Sequence, residues 1–421
     1  MGLTETLKRK TEELLNWTGR IVRMDVRRLI KDLSWLYAGE VAGTAIAILL
    51  ALGYSHFLTK ETYGTYKYVL SIFAILTVFS LPGMSDAAQR AIAQGKEGVF
   101  WKTFWKRIQW AIVGGFICAG LGVYYFVAGN MLLAAVFLAA SPFIIFIDSF
   151  NQYSALLLGR QQFRKNTVYS VLIQVGAGLI IFFTILFSQN LVVIVTSYLA
   201  AFVIMRGISL WHATKMFPPD PTQHDDTALN YGAHMSVTNI INMTVGQLDS
   251  IFLWHFLGPV SLAVYAFAEA AADQAQKAFK LVTTAIAYPK LSAMDTEVIK
   301  KTLPRKILLA HLVTFPLAVA LALVIPYVYK IVFPLYTDSI PYAQVLALLL
   351  TFTPLRLIST AVNAKASIKK IYSLSIVGSS LHLGMLVIAV PFFGIWGLII
   401  GTFVEETIGN MYGFFWLFKK M

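Results

Sequence analysis

Between Gln247 and Lys280 the sequence QLDSIFLWHFLGPVSLAVYAFAEAAADQAQKAFK sets ionisable groups into a run otherwise apolar enough to lie in a bilayer. Asp249 sits near the end of one apolar helix, Gly258-Pro259 makes a turn, and the next helix carries Glu269, Asp273, Lys277 and Lys280. An ionisable side chain at bilayer depth costs roughly 2.5 kcal/mol or more, so these groups are expected to face protein or water. Glu269, Asp273 and Lys277 recur every four residues and therefore share one helix face. Asp273 and Lys277 are spaced to pair, whereas Glu269 and Asp273 repel. Two carboxylates close together in a low dielectric share a proton or hold a cation. A buried ion pair that fixes helix packing is the other reading of the same residues.

The elements that would position them are membrane helices. The chain of 421 residues is 57% hydrophobic and 14% aromatic, with a mean hydropathy of +0.68. Soluble domains are about half apolar, so this composition reads as an all-α polytopic membrane protein. The formal charge of +13 would suit nucleic acid, but the basic residues collect on alternate loops and report orientation instead, so no nucleic-acid partner is expected. The single cysteine, Cys118, lies in an apolar segment, which excludes an intramolecular disulfide and a cysteine metal site. Residues 1–33 have no cleavage site after a short apolar core. Leu7, Leu14, Trp17, Ile21 and Met24 alternate with cations at helical spacing, which suits a cytoplasmic amphipathic segment on an anionic lipid surface or one packed beneath the membrane domain.

About twelve segments have the length of a membrane helix, near 20 residues. Their expected bounds are 34–57, 65–92, 105–128, 131–158, 167–188, 191–216, 229–257, 261–288, 305–333, 339–366, 371–392 and 394–418. One set of connections holds Lys96, Lys102, Lys106 and Arg107; Arg160, Arg164 and Lys165; Lys215; Lys290, Lys300, Lys301, Arg305 and Lys306; Lys365, Lys369 and Lys370; and Lys419 and Lys420. The other set holds Lys60 alone. The positive-inside rule then places both termini in the cytoplasm, with the chain integral to the plasma (inner) membrane. Trp101, Trp105, Trp110, Trp396 and Trp416 fall near the expected interfaces, and Gly83, Gly114 with Gly115, and Gly176 with Gly178 permit close helix approach.

Residues 218–228, proline-rich and acidic, read as a cytoplasmic linker between an N-lobe (34–217) and a C-lobe (229–421). Three adjacent residues there, His224, Asp225 and Asp226, read as solvated rather than metal-binding. His255-Phe256-Leu257 repeats His56-Phe57-Leu58, and Tyr265 stands as far from Tyr66 as His255 does from His56. The repeat points to duplication, with two six-helix lobes related by a pseudo-two-fold axis along the membrane normal.

At these junctions the chain resembles the Wzx-like polysaccharide flippase branch of the MOP (multidrug, oligosaccharidyl-lipid, polysaccharide) superfamily, which is MATE-like in fold. The matching segments are Leu58-Thr-Lys-Glu-Thr-Tyr63-Gly64-Thr-Tyr66, Leu81-Pro-Gly83-Met-Ser-Asp86-Ala-Ala-Gln-Arg90, Gly159-Arg160-Gln-Gln-Phe163-Arg164, and Gln247-Leu-Asp249 leading to Leu257-Gly258, Tyr265 and Tyr288-Pro289-Lys290-Leu291. The resemblance implies a V-shaped pair of lobes around a cavity that opens alternately to each side. It also implies export of a polyprenyl-diphosphate-linked oligosaccharide, amid membrane lipids and with polysaccharide polymerase or ligase machinery as candidate partners. Related branches export lipid II or exchange drugs for cations.

Arg206, Lys277, Lys280 and Arg356 fall in the inner third of even helices, and Glu269, Asp273, Glu405 and Glu406 nearer the middle. Forked arginine donors and mobile lysine ammoniums suit a diphosphate, so Arg206, Lys277 and Arg356, with Arg90 and Lys280, are its candidate ligands. Snorkelling to lipid headgroups would explain the same positions. Membrane potential favours outward movement of an anion by about 2.3 kcal/mol per charge per 100 mV. Asp249, Glu269 and Asp273, with Glu405, are candidates to admit a returning Na⁺ or H⁺. Glu40 and Asp148 are weaker candidates that could pair with cations for structure. No cofactor is expected: there is no Walker-type loop for ATP, and the loops are too short to house a glycosyltransferase or polymerase site.

Overall fold

A computed structural model of the chain describes residues 26–223, 227–282, 287, 291–292, 294–365 and 368–419. The amphipathic segment up to residue 25, the His224-Asp225-Asp226 triplet and Tyr288-Pro289-Lys290 lie outside the described residues, as does the side chain of Lys280. The first six spans are α1 (Val26–Phe57), a bent pair α2 (Lys60–Leu76) and α3 (Gly83–Ala93), α4 (Val99–Val127), the pair α5 (Met131–Ile147) and α6 (Gln152–Gly159), α7 (Phe163–Phe187) and α8 (Leu191–Met216). A helical run Ala228–Val282 follows, then α11 (Thr296–Val332), the pair α12 (Ile340–Ala347) and α13 (Arg356–Lys365), and a second long run, Ile368–Lys419.

Neither long run is one span. At 1.5 Å per residue a run of 55 residues would reach about 80 Å, against a bilayer core of about 30 Å. The first breaks at Gly258 (φ 83°) and the second at Gly394 (φ 60°), conformations that favour glycine. The four arms are α9 (228–257), α10 (259–282), α14 (368–393) and α15 (395–419), so that, with each bent pair taken together, the described residues form twelve helical segments. Arms α14 and α15 fold back as a hairpin, in which Gly397 lies against Ala389 and Gly401 against Met385. Polar side chains start three spans at one end of the bundle: Thr59, Asn130 and Asn190 each accept a hydrogen bond from a first-turn backbone N–H. This is the turn end. The opposite end, where residues 217–223 leave the helix, is the linker end.

The α2–α3 span bends by 48° at Leu81-Pro82. A bend frees backbone carbonyls, and the side chain that takes one of them corrects an expectation. Arg107, expected among the loop cations, is 1% exposed inside α4. Its guanidinium donates to the Ser80 carbonyl (3.2 Å), the Asp148 carbonyl (2.9 Å), Gln152 Oε1 (2.8 Å) and the Asp148 carboxylate. Helix breaks at Ser80 and Asp148 left acceptors that only a forked donor satisfies together, which is why this cation left the interface.

The apolar core is shared at one end and divided at the other. At the turn end one cluster joins both halves, from Tyr54 and Phe137 to Tyr336 and Ile399. At the linker end the first half keeps its own cluster around Phe100, Leu156 and Leu210, and the second half another around Ile299, Leu303 and Ile358. Contact across halves persists there along α3 and α9, where the Gly83 N–H donates to Ser236 Oγ (3.1 Å).

Candidate functional site

Where the cores part, a cavity of about 570 Å³ lies between α1, α7 and α8 of the first half and α10 of the second. Small residues let α1 and α7 run side by side: Gly39 faces Thr167, and Gly178 is pressed by Ile46. The wall sets uncharged polar side chains among apolar ones. Helix α7 contributes Asn166, Thr167, Ser170 and Gln174, α1 contributes Glu40 and Thr44, and α10 contributes Gln274 and Lys277. Thr44 Oγ1 donates to Gln274 Oε1 across the two halves (3.4 Å). Asn166 Oδ1 is buried without a hydrogen-bond partner among the described residues. The polar series 166, 170, 174 has a four-residue period on an apolar helix, a signal legible in the sequence but not used there.

Towards the turn end the cavity stops at tyrosines. Tyr54 and Tyr198 line it, and behind Tyr54 lie the buried rings of Tyr63 and Tyr66, with centroids at 5.0 and 5.5 Å. Tyr63 meets Phe267 of α10 edge-on at 5.1 Å, and Phe267 stacks on Tyr336 at 3.6 Å. The Tyr329 hydroxyl donates to the Phe267 carbonyl (2.6 Å) and the Ser339 hydroxyl to that of Val264 (2.8 Å). Gly64 lies so close to Pro259 that a Cβ would overlap its carbonyl. Lys60 pairs with Asp338 over the top (2.6 Å). The Tyr63-Gly64-Thr-Tyr66 segment thus closes one end of the route between halves by ring packing and backbone approach.

The candidate charges distribute unevenly. Lys277 and Glu40, both exposed, share the cavity wall. Arg206, one turn along α8 from the lining Phe202, stacks over that ring at 5.3 Å and donates to the Ile147 carbonyl (2.5 Å). Arg90 stacks on Tyr231 at 4.7 Å where α3 meets α9. Arg356 lines a separate cavity of about 410 Å³ in the second half, paired with Glu406 at 2.7 Å. The cations therefore do not converge on one chamber. Asp273 and Lys277, spaced to pair, form no ion pair: Asp273 is exposed, and Lys277 lies on the cavity wall with Gln274. Glu269 accepts from the Tyr265 hydroxyl (3.3 Å).

Asp249 and Glu405 are brought together by a residue the sequence reading missed. His382 of α14 places Nε2 2.8 Å from Asp249 Oδ1 and Nδ1 2.7 Å from Glu405 Oε2. Its two partners stand 133 and 23 positions away in sequence, so spacing carried no sign of it. Among the described residues, no group of three or more His, Cys, Asp or Glu has the arrangement of a metal site.

Comparisons with known proteins agree with this architecture. The model of the family described as polysaccharide biosynthesis protein matches residues 29–295. An uncharacterized membrane protein of Methanocaldococcus jannaschii is 23% identical over 434 residues, covering 93% of this chain and 83% of that protein. Among solved structures, the inward-facing conformation of a multidrug resistance MATE family transporter of the MOP superfamily aligns with a TM-score of 0.69 at 15% identity, covering 89% of this chain and 93% of that one. Lipid II flippase MurJ, in an inward closed conformation, aligns with a TM-score of 0.67 at 16% identity, covering 92% of this chain and 87% of that one.

Proposed function

The chain belongs to the polysaccharide biosynthesis protein family, a multi-pass membrane protein with the fold of MOP-superfamily transporters, and we propose that it moves a lipid-linked glycan across the membrane by alternating access. The observation that carries this reading is the cavity between the halves, which sets amides and hydroxyls among apolar side chains and is bounded by tyrosines towards the turn end. A glycan offers hydroxyls without net charge, and Asn166, Ser170, Gln174 and Gln274 complement it with donors and acceptors. Tyrosine rings suit the apolar faces of sugars. At about 570 Å³ the cavity falls within the roughly 300–1,000 Å³ range of small-ligand sites.

An apolar groove of about 260 Å³ adjoins the cavity and shares Ala47, Tyr54 and Gln274 with it. It runs between α1, α10 and α11 past Leu321, Val324 and Val328. A chamber carrying polar side chains, joined to a more apolar groove, matches an amphipathic substrate: the sugar in one, the polyprenyl chain in the other. Lys277 at the wall and Arg206 beside it are the cations that a diphosphate between these two parts would meet. The basic connections of the linker end orient that end, and both termini, to the cytoplasm. Loading then comes from the inner leaflet and export runs outward.

The test uses the full chain in liposomes loaded with a short-chain polyprenyl-diphosphate disaccharide carrying a fluorophore on the sugar. Protein-dependent movement of the label between leaflets, read by a membrane-impermeant quencher, is the expected result. No movement, together with protein-dependent efflux of a cationic dye, would assign the cavity to drug exchange instead.

A further inference from the structure

Helices α1 and α10 flank the cavity from opposite halves and run in opposite directions, α1 towards the turn end and α10 away from it. One side-chain hydrogen bond joins them among the described residues, from Thr44 Oγ1 to Gln274 Oε1 (3.4 Å), and it sets their register. Glu40 lies one turn before Thr44 and Lys277 one turn after Gln274, so both stand about 5 Å beyond that bond on its linker-end side. Of the residues that line the cavity, Glu40 and Lys277 are the two that carry charge. Both are exposed, and neither forms an ion pair among the described residues.

Neighbouring charges do not serve either group. Arg206 is held by the Ile147 carbonyl and the Phe202 ring. Asp273, one turn before Lys277, is exposed and takes no part in the cavity wall. This matters for the half of the cycle that carries nothing. A protein that exports a lipid must return empty, and on that passage its halves close over the cavity and expel water from it. A lysine shut in with no anion is then a buried charge without compensation, the costly case for an ionised group. In the loaded protein the substrate's phosphate compensates Lys277. In the empty one Glu40 is the carboxylate that faces it.

We propose that Glu40 is the counter-ion of Lys277 in the empty protein, a built-in substitute for the substrate's phosphate. As the halves close over an empty cavity, the carboxylate and the ammonium meet across the α1–α10 seam and replace the hydration that each loses. A lipid diphosphate arriving from the linker end takes Lys277 instead, because it offers more negative charge and more acceptor oxygens than one carboxylate. Glu40 then keeps to the polar wall of α7, where Asn166 supplies amide donors. Glu40 therefore touches no substrate atom; it positions Lys277 and makes the empty return possible. The proposal rests on the reading of Lys277 as a phosphate ligand and is indifferent to the sugar.

The experiment follows the full chain in liposomes through Ser339→Cys in a Cys118→Ser background. Ser339 is 0% exposed with the turn end closed, so its labelling by a membrane-impermeant maleimide reports excursions that open the turn end and shut the linker end. Without ligand, Glu40→Gln should slow labelling roughly tenfold or more, because each excursion then seals Lys277 alone. Combining Glu40→Gln with Lys277→Gln should restore the parent rate, since no charge is left to seal. Farnesyl diphosphate should restore it in Glu40→Gln by itself. The double variant lacks the same carboxylate, so its recovery separates a counter-ion from a residue needed for folding or helix packing. Parent-rate labelling of Glu40→Gln, a double variant as slow as the single one, or a Glu40→Gln protein indifferent to farnesyl diphosphate would each overturn the proposal. Because farnesyl diphosphate carries no sugar, absence of glycan movement in the liposome test above would remove the glycan reading and leave this measurement standing, and the reverse holds.

Discussion

The guanidinium of Arg107 on α4 and the carboxylate of Asp148, at the end of α5, form an ion pair inside the first half, with the arginine 1% exposed. The same arginine satisfies the carbonyls of Ser80 and Asp148, so one side chain ties the bend of the α2–α3 span to the break between α5 and α6. Breaking a buried pair from one side leaves a charge without compensation, at a cost of about 3–5 kcal/mol. Asp148→Ala should lower stability in detergent by that amount, measured by chemical denaturation. Arg107→Met combined with Asp148→Leu should cost less than Asp148→Ala alone, because no lone charge remains.

The close approach of Gly64 to Pro259 closes the turn end, and any side chain there must part the halves. Overpacking of this kind costs about 1–3 kcal/mol. Gly64→Ala should raise the population open at the turn end roughly tenfold. The check is the rate at which a membrane-impermeant maleimide labels Ser339→Cys in a Cys118→Ser background. Ser339 is 0% exposed here, so slow labelling in the parent and fast labelling in the variant is the expected contrast.

At the linker end Glu97 accepts two hydrogen bonds from Arg160, one at Nε (2.7 Å), and a third from the Asp220 N–H (3.0 Å). The bond from Arg160 holds the Glu97 carboxyl below the usual carboxylate range, against the opposing effect of burial. A carboxyl depressed in the folded state stabilises fully above its unfolded value of about 4.3, and that contribution is lost as pH falls through the lower folded value. Proteolysis of the 217–223 stretch should therefore be slow and constant from pH 5 upward and accelerate in acid. Glu97→Gln should make it fast at every pH, with a loss of about 1–3 kcal/mol.

Export should depend on the polar face of α7 more than on its volume. Gln174→Leu and Asn166→Leu each remove groups that line the cavity. One hydrogen bond to a neutral sugar is worth about 0.5–1.5 kcal/mol, so each change should slow glycan movement up to about tenfold. Lys277→Gln should act through the diphosphate, and its effect should disappear with an uncharged polyprenyl glycoside as probe.

Segment lengths and apolar runs settled in the sequence where helices would lie: the expected sixth span, 191–216, coincides with α8, and the breaks at Gly258 and Gly394 fall where Gly258-Pro259 and a short turn were read. The sequence also put Asp249 and Glu405 among the groups of interest. It misplaced Arg107 because a cation near a helix end has the same local pattern whether it reaches water or turns inward to capture carbonyls freed by bends elsewhere.

Composition and periodicity alone therefore determined an all-helical, multi-pass membrane chain and which polar groups share a helix face. Which partner each face meets was decided by packing: His382 between Asp249 and Glu405, Lys277 on the wall with Glu40, Arg356 apart from both. The reason is geometric. A helix fixes the direction of a side chain relative to its neighbours three and four residues away, whereas hydrogen bonds within a membrane domain form between helices brought together from distant parts of the chain.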